Sequence, residues 1–480
     1  MSNDLRQATS VPAHPSRLTG SLGVGSIVFM VVAAAAPLTV IAGTVPIGIA
    51  FGNGAGYPLT YVICCAILLL FAVGFTTMSR HVPNAGGFYA YIGRGLGRSS
   101  GLGAAFLAVL SYTAVLVAVY GYIGAALGDL VSSHVDLSLP WWAWTALVLA
   151  GVSVLGYRQI DLSSKVLGVL LVAEVAVVVV IDVFVLARGG GHDGLSTGLL
   201  HPATVVSGAP GIALIFALAG FLGFEATVVF RDEARDPERT IPRATYVALL
   251  LIGSFYTLSS WAVVSAWGDS GAVARATIDP GGMLAETARR FAGPVVSDLV
   301  SVLLVTSLMA AVLSFHNVTA RYLFSLGNTG VISAHCGRSH DRHGSPHVAS
   351  VLVTLVAAGL VAASVVAGLD PVVQVFAWLA GIATVGVVAL MLFTCLAVVV
   401  FFRRNALDSR KWPTLVAPSI GLVALAGCFY LTVSNLPLLV GGSTRLAAVI
   451  GGVMLATVLA GPVLAALRPQ ATAALDTSSL

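Results

Sequence analysis

The chain has 480 residues, 58% of them hydrophobic and only 9% charged, with a formal net charge of +4 at pH 7. That balance excludes a soluble globular domain and points to a chain built for lipid. The slight positive excess lies in loops and gives no reason to expect a nucleic-acid partner.

Residues 1–20 are polar and lack the short apolar core and cleavage site of a signal peptide, so they read as a tail. Beyond them, apolar runs recur that are long enough to cross a roughly 30 Å hydrocarbon layer as helices. In chain order they are 24–51, 58–78, 101–127, 141–156, 164–187, 211–229, 244–267, 294–325, 348–368, 372–402, 413–434 and 446–466. The fourth is short and the eighth and tenth are long, so tilt or breaks are expected. Lipid offers the backbone no hydrogen-bond partners, and the runs lack the alternation of barrel strands. The expected fold is therefore an all-α polytopic membrane protein with twelve transmembrane helices.

Twelve crossings leave both termini on one side. Of the 24 Lys and Arg residues, Arg188, Arg275, Arg289, Arg290 and Arg445 fall in segments on the opposite side and Lys165 falls in a span. The other 18 share the side of the termini, which predicts cytoplasmic termini and insertion in the plasma membrane. Cys64, Cys65, Cys395 and Cys428 lie in spans and Cys336 in an inner loop, so no disulfide is expected. The loops 188–210, 268–293 and 326–347 are too small to bury a core of their own. No Walker motif, HExxH or paired CxxC is present, so neither an ATP-driven engine, nor an enzyme, nor a cofactor is expected. His335, Cys336, His340, His343 and His347 crowd one inner loop, yet their spacing fits no tetrahedral metal pattern; a solvated basic loop is the reading, without a metal.

The chemistry must then lie within the membrane, where polar residues are costly and functional. The first span carries AAAAPLTVIAGTVPIG, residues 33–48, with Pro37 and Pro46 flanking Thr39, Ala42 and Gly43. The sixth carries FALAGFLGFEA, residues 216–226, with Gly220, Gly223 and Glu225. Proline removes a backbone donor and glycine tolerates unusual dihedrals, so both helices are expected to open near mid-depth. Opened ends present free N–H and C=O groups that bind a carboxylate and an ammonium or cation. Simple kinking or close helix packing is the plainer alternative. The breaks are five spans apart, the offset of an inverted five-plus-five helix repeat with broken helices 1 and 6. That divides the chain into a tail (1–20), a transport core (21–402), helices 11 and 12 (403–467) and a second tail (468–480).

Three segments resemble the amino acid–polyamine–organocation superfamily. GFEATVVFRDEARDPERTIPRA, residues 223–244, is similar to the sixth helix and following loop, with Asp236 where asparagine is usual. PNAGGFYAYIGRGLG, residues 83–97, is similar to the P-x-A-G-G-x-Y-x-Y segment between helices two and three. ARYLFSLGNTGVIS, residues 320–333, is similar to the segment after helix eight, with Asn328 replacing an arginine. The resemblance covers about residues 20 to 400 in order. It implies a secondary active transporter working by alternating access.

It also implies a site. Many members carry a G-[ST]-G triplet in helix 1 whose amides hold the substrate carboxylate. Counting back from Pro46 places that triplet on Thr39, Val40 and Ile41, beside Ala42 and Gly43, and amine transporters of the superfamily also depart from the triplet. Substrate-facing positions of helix 6 map onto Ala219 and Leu222, next to Gly220 and Gly223, and Tyr112 joins as a candidate. Proton-coupled members have a lysine in the fifth span, matched by Lys165 in DLSSKVLGVLLVAE. A buried lysine exchanges a proton during transport because desolvation lowers its pKa. Reaching headgroups, or pairing with Asp161, is the plainer role. Glu225 reads as a clasp between helices 6 and 1, or a proton sensor, rather than a direct substrate ligand. Glu174 and Asp182, in the same span as Lys165, are expected to face protein or the outer rim and receive no role. The expected function is proton-coupled uptake of an amino acid, with a polyamine or other amine importer, or an amino-acid exchanger, as alternatives. The partners are the amino acid or amine, protons and the lipid bilayer.

Overall fold

The structure is a computed structural model that describes residues 22–82, 87–158, 164–340, 345–405 and 407–467, apart from the side chains of Ser164, Lys165, Val229 and Asp232. The expected tails 1–20 and 468–480, the start of the PNAGG segment, Asp161 and His343 lie outside the described residues.

Among the described residues the chain is helical, and the β-type pairing consists of isolated bridges. The helices are α1 (Val24–Ala34), α2 (residues 37–53), α3 (Tyr57–Met78), α4 (Phe88–Leu96), α5 (Arg98–Ser132), α6 (Trp141–Arg158), α7 (Ser164–Ala187), α8 (Pro210–Ala219), α9 (Ala226–Val229) and α10 (Pro237–Trp267). They continue as α11 (Asp269–Ile278), α12 (Met283–Ala292), α13 (Pro294–Asn328), α14 (His347–Val366), α15 (Pro371–Asn405), α16 (Trp412–Ser434) and α17 (Thr444–Leu467). Nine helical segments among the described residues are long and apolar enough to cross a membrane. One of them, Val24–His81, contains α1, α2 and α3. The 18-residue α6 and the 10-residue α8 fall outside that set.

The 35-residue α5 is the hub, packed against α6, α13, α15 and α17. Against this interior stand helices whose outer faces are apolar and uncovered. Val169, Val172 and Val183 on α7, and Val449, Leu455, Leu459 and Val463 on α17, are all exposed. Uncovered apolar helix faces of this kind are a liability in water and the expected surface in hydrocarbon.

At one end of the bundle, Leu22, just before α1, forms a parallel bridge with Ala234, just after α9. The Leu22 N–H donates to the Glu233 carbonyl at 2.9 Å, and the Arg235 N–H donates to the Leu22 carbonyl at 3.0 Å. Beside it, Glu238 at the start of α10 is held by Arg80 at 2.6 Å and Arg231 at 2.5 Å.

Candidate functional site

The break in the first span lies at Ala35–Ala36, just ahead of the expected 37–43 and of the triplet position Thr39–Ile41. Ala36 has φ 45°, the left-handed region, and it is the lone non-glycine residue there among those described. The cause is Pro37. Its ring disfavours the right-handed helical conformation for the residue before it, so the chain leaves the helix at Ala36. It restarts with Pro37 in a first turn, where a missing N–H costs nothing. Thr39, Val40 and Ile41 are thus wound into helix, and the free amides belong to the turn that begins at Pro37.

Pro46 does not open the helix. It would deprive the Ala42 carbonyl of its partner, but the Tyr122 hydroxyl donates to that carbonyl at 2.9 Å. A π turn over Val40–Thr44 takes up the proline ring. The Tyr122 ring lies against Phe376, with centroids 4.9 Å apart, and both cover Gly43. A Cβ at Gly43 would fall 2.8 Å from the Tyr122 ring, so the closeness requires glycine. Ala42 and Tyr122 also border a cavity of about 260 Å³ lined by Asp129, Asp279, Asp298 and Arg289.

The second break behaves differently. α8 ends at Ala219, turns occupy residues 220–225, and helix resumes at Ala226. Gly223 sits at φ 102°, a conformation side-chain-bearing residues rarely adopt. The Gly223 N–H donates to Glu225 Oε2 at 2.9 Å, and the Tyr112 hydroxyl donates to Glu225 Oε1 at 2.8 Å. Glu225 is 7% exposed. Tyr112 in turn packs on Tyr322, with ring centroids 5.5 Å apart.

The two breaks meet. A Cβ at Gly223 would lie 3.3 Å from the Ala34 side chain, and one at Gly220 would lie 3.1 Å from Val40 and from Tyr256. Tyr256 donates to the Ala35 carbonyl at 3.3 Å, filling an acceptor that the break leaves free.

A third set of polar groups backs the first break. Thr39 donates to Ser307 at 3.0 Å, and Ser307 donates to Glu174 Oε2 at 2.9 Å. The Leu38 backbone amide also lies near this carboxylate. Glu174 is 5% exposed and lines a cavity of about 370 Å³ between α1, α7 and α13.

The structure brings together Tyr112, Gly223 and Glu225, and it joins Val40 to Gly220. Ile41 and Ala219 are buried, and Leu222 is half-buried in the second opening. Lys165 falls in the first turn of α7, but its side chain lies outside those described. Sequence reasoning missed Ser307, Tyr122, Tyr256 and Tyr322, and it left Glu174 without a role. An acid within an apolar span was the available signal for Glu174. Its companion Asp182 instead accepts from Ser259 on α10 at 2.6 Å. His340, after α13, and His347, at the start of α14, pack their rings on Tyr157, and no group of three metal-ligating residues occurs among those described.

A family model described as amino acid permease matches residues 26–474. The chain is 23% identical over 321 residues to the low-affinity putrescine importer PlaP of Escherichia coli, covering 65% of this chain and 68% of that one. It is also 23% identical over 406 residues to the branched-chain amino acid permease BcaP of Lactococcus lactis, covering 78% and 82% of the two chains. The amino-acid permease GAP5 of Candida albicans is 24% identical over 388 residues, 76% of this chain and 58% of its own.

Proposed function

The chain belongs to the amino acid permease family, and from that premise we propose a secondary importer that moves one small amino acid or amine per cycle by alternating access. It is an amine or amino acid transporter and not an enzyme. The proposed architecture has twelve crossings, an inverted five-plus-five repeat, and both termini in the cytoplasm. Residues 21–402 form the core in this reading, with helices 11 and 12 beside it.

The observation that carries the mechanism is the contact between the two broken helices, Gly223 on Ala34 and Gly220 on Val40. Two helices interrupted at the same place present backbone polar groups to a small ligand inside the bundle. Rocking of their halves opens the site to one face at a time. The proposed substrate contacts are Thr39, Ala42, Gly43, Tyr112, Leu222 and Gly223, and Glu225 holds the second break in register.

Energy coupling is assigned to Lys165, in the first turn of α7. A lysine that loses and regains its proton in each cycle couples uptake to the pH gradient without sodium. The test is uptake into proteoliposomes, over a panel of labelled amino acids and amines, under an imposed pH gradient with and without sodium. Lys165→Ala should lose concentrative uptake yet still bind substrate. Lys165→Arg should fail equally, because a guanidinium stays protonated at any working pH. Full activity of the arginine variant, or strict sodium dependence, would remove Lys165 from this role; no uptake of any compound would remove the transporter reading itself. Orientation is tested separately by a cysteine at exposed Leu200, which should react with impermeant thiol reagents on intact cells while the five buried native cysteines stay silent. Labelling only after cell lysis would reverse the topology.

A further inference from the structure

Two carboxylates stand at the broken helices, and they are in different circumstances. Glu225 has both oxygens engaged, one by Tyr112 and one by the Gly223 amide. Glu174 receives one side-chain hydrogen bond, from Ser307, and borders open space. Among the described residues no cationic side chain pairs with it, and no Arg, Lys or His lines the adjoining cavity. Lys165 is nine positions away on α7, a rise of roughly 13 Å, too far for direct pairing.

A buried carboxylate without a cation is costly in a membrane interior and marks a place that a cation visits. The cavity, at about 370 Å³, falls within the range of small-molecule sites, roughly 300–1,000 Å³. Most of its wall is apolar, from Phe29, Met30, Leu167, Leu170, Leu171 and Phe230, which suits an aliphatic chain, and Thr306, Ser307, Ser314 and Glu174 supply the polar groups. Glu174 also lies beside the Leu38 amide, one of the free donors of the restarted first helix. Such free helix-end amides are where a transporter of this architecture receives an anionic substrate group. Here the protein brings its own carboxylate to them. A carboxylate on the substrate would have to sit against Glu174, like charge on like charge in a low dielectric.

We propose that Glu174 is the anchor for the ammonium group of the substrate, and that the substrate is an aliphatic primary amine without a free carboxylate. This narrows the transporter reading above and rests on it. Ser307 is a positioning residue, tying Glu174 to Thr39 and so coupling occupancy of the cavity to the first break.

The experiment is binding to the purified full-length chain in detergent, using pairs that differ by one carboxylate: putrescine against ornithine, and isobutylamine against valine. The decarboxylated member should bind tighter in each pair. Glu174→Gln should weaken putrescine binding by about 30-fold or more, the usual effect of removing one partner of a buried charge pair, and should abolish the preference. Ser307→Ala keeps the charge, so it should keep the preference and change affinity by less than about tenfold. Equal or tighter binding of the amino acids, no binding of either amine, or an unchanged preference in Glu174→Gln overturns the proposal. The wild-type comparison decides the question even where Glu174→Gln does not fold. Binding with the expected preference but no uptake in proteoliposomes would spare this proposal and break the transporter reading.

Discussion

The breaks between α1 and α2 and between α8 and α9 lie side by side, yet their loose ends are secured in opposite ways. The first is opened by a proline acting on the residue before it, and other helices hold the segment: Tyr256 of α10 donates to the Ala35 carbonyl, Tyr122 of α5 donates to the Ala42 carbonyl that Pro46 leaves free, and Ser307 of α13 accepts from Thr39. The second is opened by a glycine at positive φ and closes on itself, with Glu225 accepting from the Gly223 amide two residues away. One break is therefore held by its surroundings and responds when they move. The other carries its own clasp and moves as a piece. Distributed support tolerates the loss of one member, whereas a local clasp concentrates its free energy in a single side chain.

That contrast predicts a ranking. Gly223→Val should do the most damage, since it forces a branched residue to φ 102° and against Ala34. Backbone strain of roughly 1–3 kcal/mol and the blocked contact should drop uptake to background while surface expression persists. Normal uptake by that variant would place the ligand elsewhere. Next comes Glu225→Ala, which strands both the Gly223 amide and the Tyr112 hydroxyl. A loss of about 3 kcal/mol is expected, seen as a lower unfolding temperature in detergent. Stability equal to the wild type would mean that the break between α8 and α9 has no clasp.

Smaller effects are expected at the first helix. Tyr122→Phe leaves the Ala42 carbonyl unpaired and should cost about 1–2 kcal/mol, because the π turn and neighbouring contacts remain. If it proved as severe as Glu225→Ala, the support of the first break would be concentrated and not shared. Tyr256→Phe should be mildest, at about 0.5–1 kcal/mol, its hydrogen bond to Ala35 being long at 3.3 Å. A measurable loss of uptake with unchanged stability would instead give Tyr256 a role in the cycle.

Composition and the run lengths reveal the class of fold because hydrocarbon admits few backbone solutions. The existence of both breaks is equally legible, since Pro37 and Gly223 act on their immediate neighbours. The position of the first is harder to read. Counting from Pro46 leads to Thr39–Ile41, but a proline can be absorbed by a π turn when a hydroxyl such as that of Tyr122 replaces the missing donor, and nothing local in the sequence announces that hydroxyl. Glu174 fails for a related reason. Whether an acid in an apolar span faces core, rim or cavity depends on how the helix is rotated, and packing against α10 and α13 sets that rotation. Asp182, eight residues on, looks alike in sequence and ends on a different partner.

The short bridge between Leu22 and Ala234 ties the entry of α1 to the segment after α9. Two backbone hydrogen bonds are little as stability, but as kinematics they remove a degree of freedom: α1 cannot swing without drawing the segment after α9 with it. On the alternating-access reading proposed above, α1 and α9 then move as one lever with two blades, pivoting at Ala36 and Gly223. A lever of that kind is either seated or lifted, and Glu238, gripped by Arg80 and Arg231, is the catch at its free end.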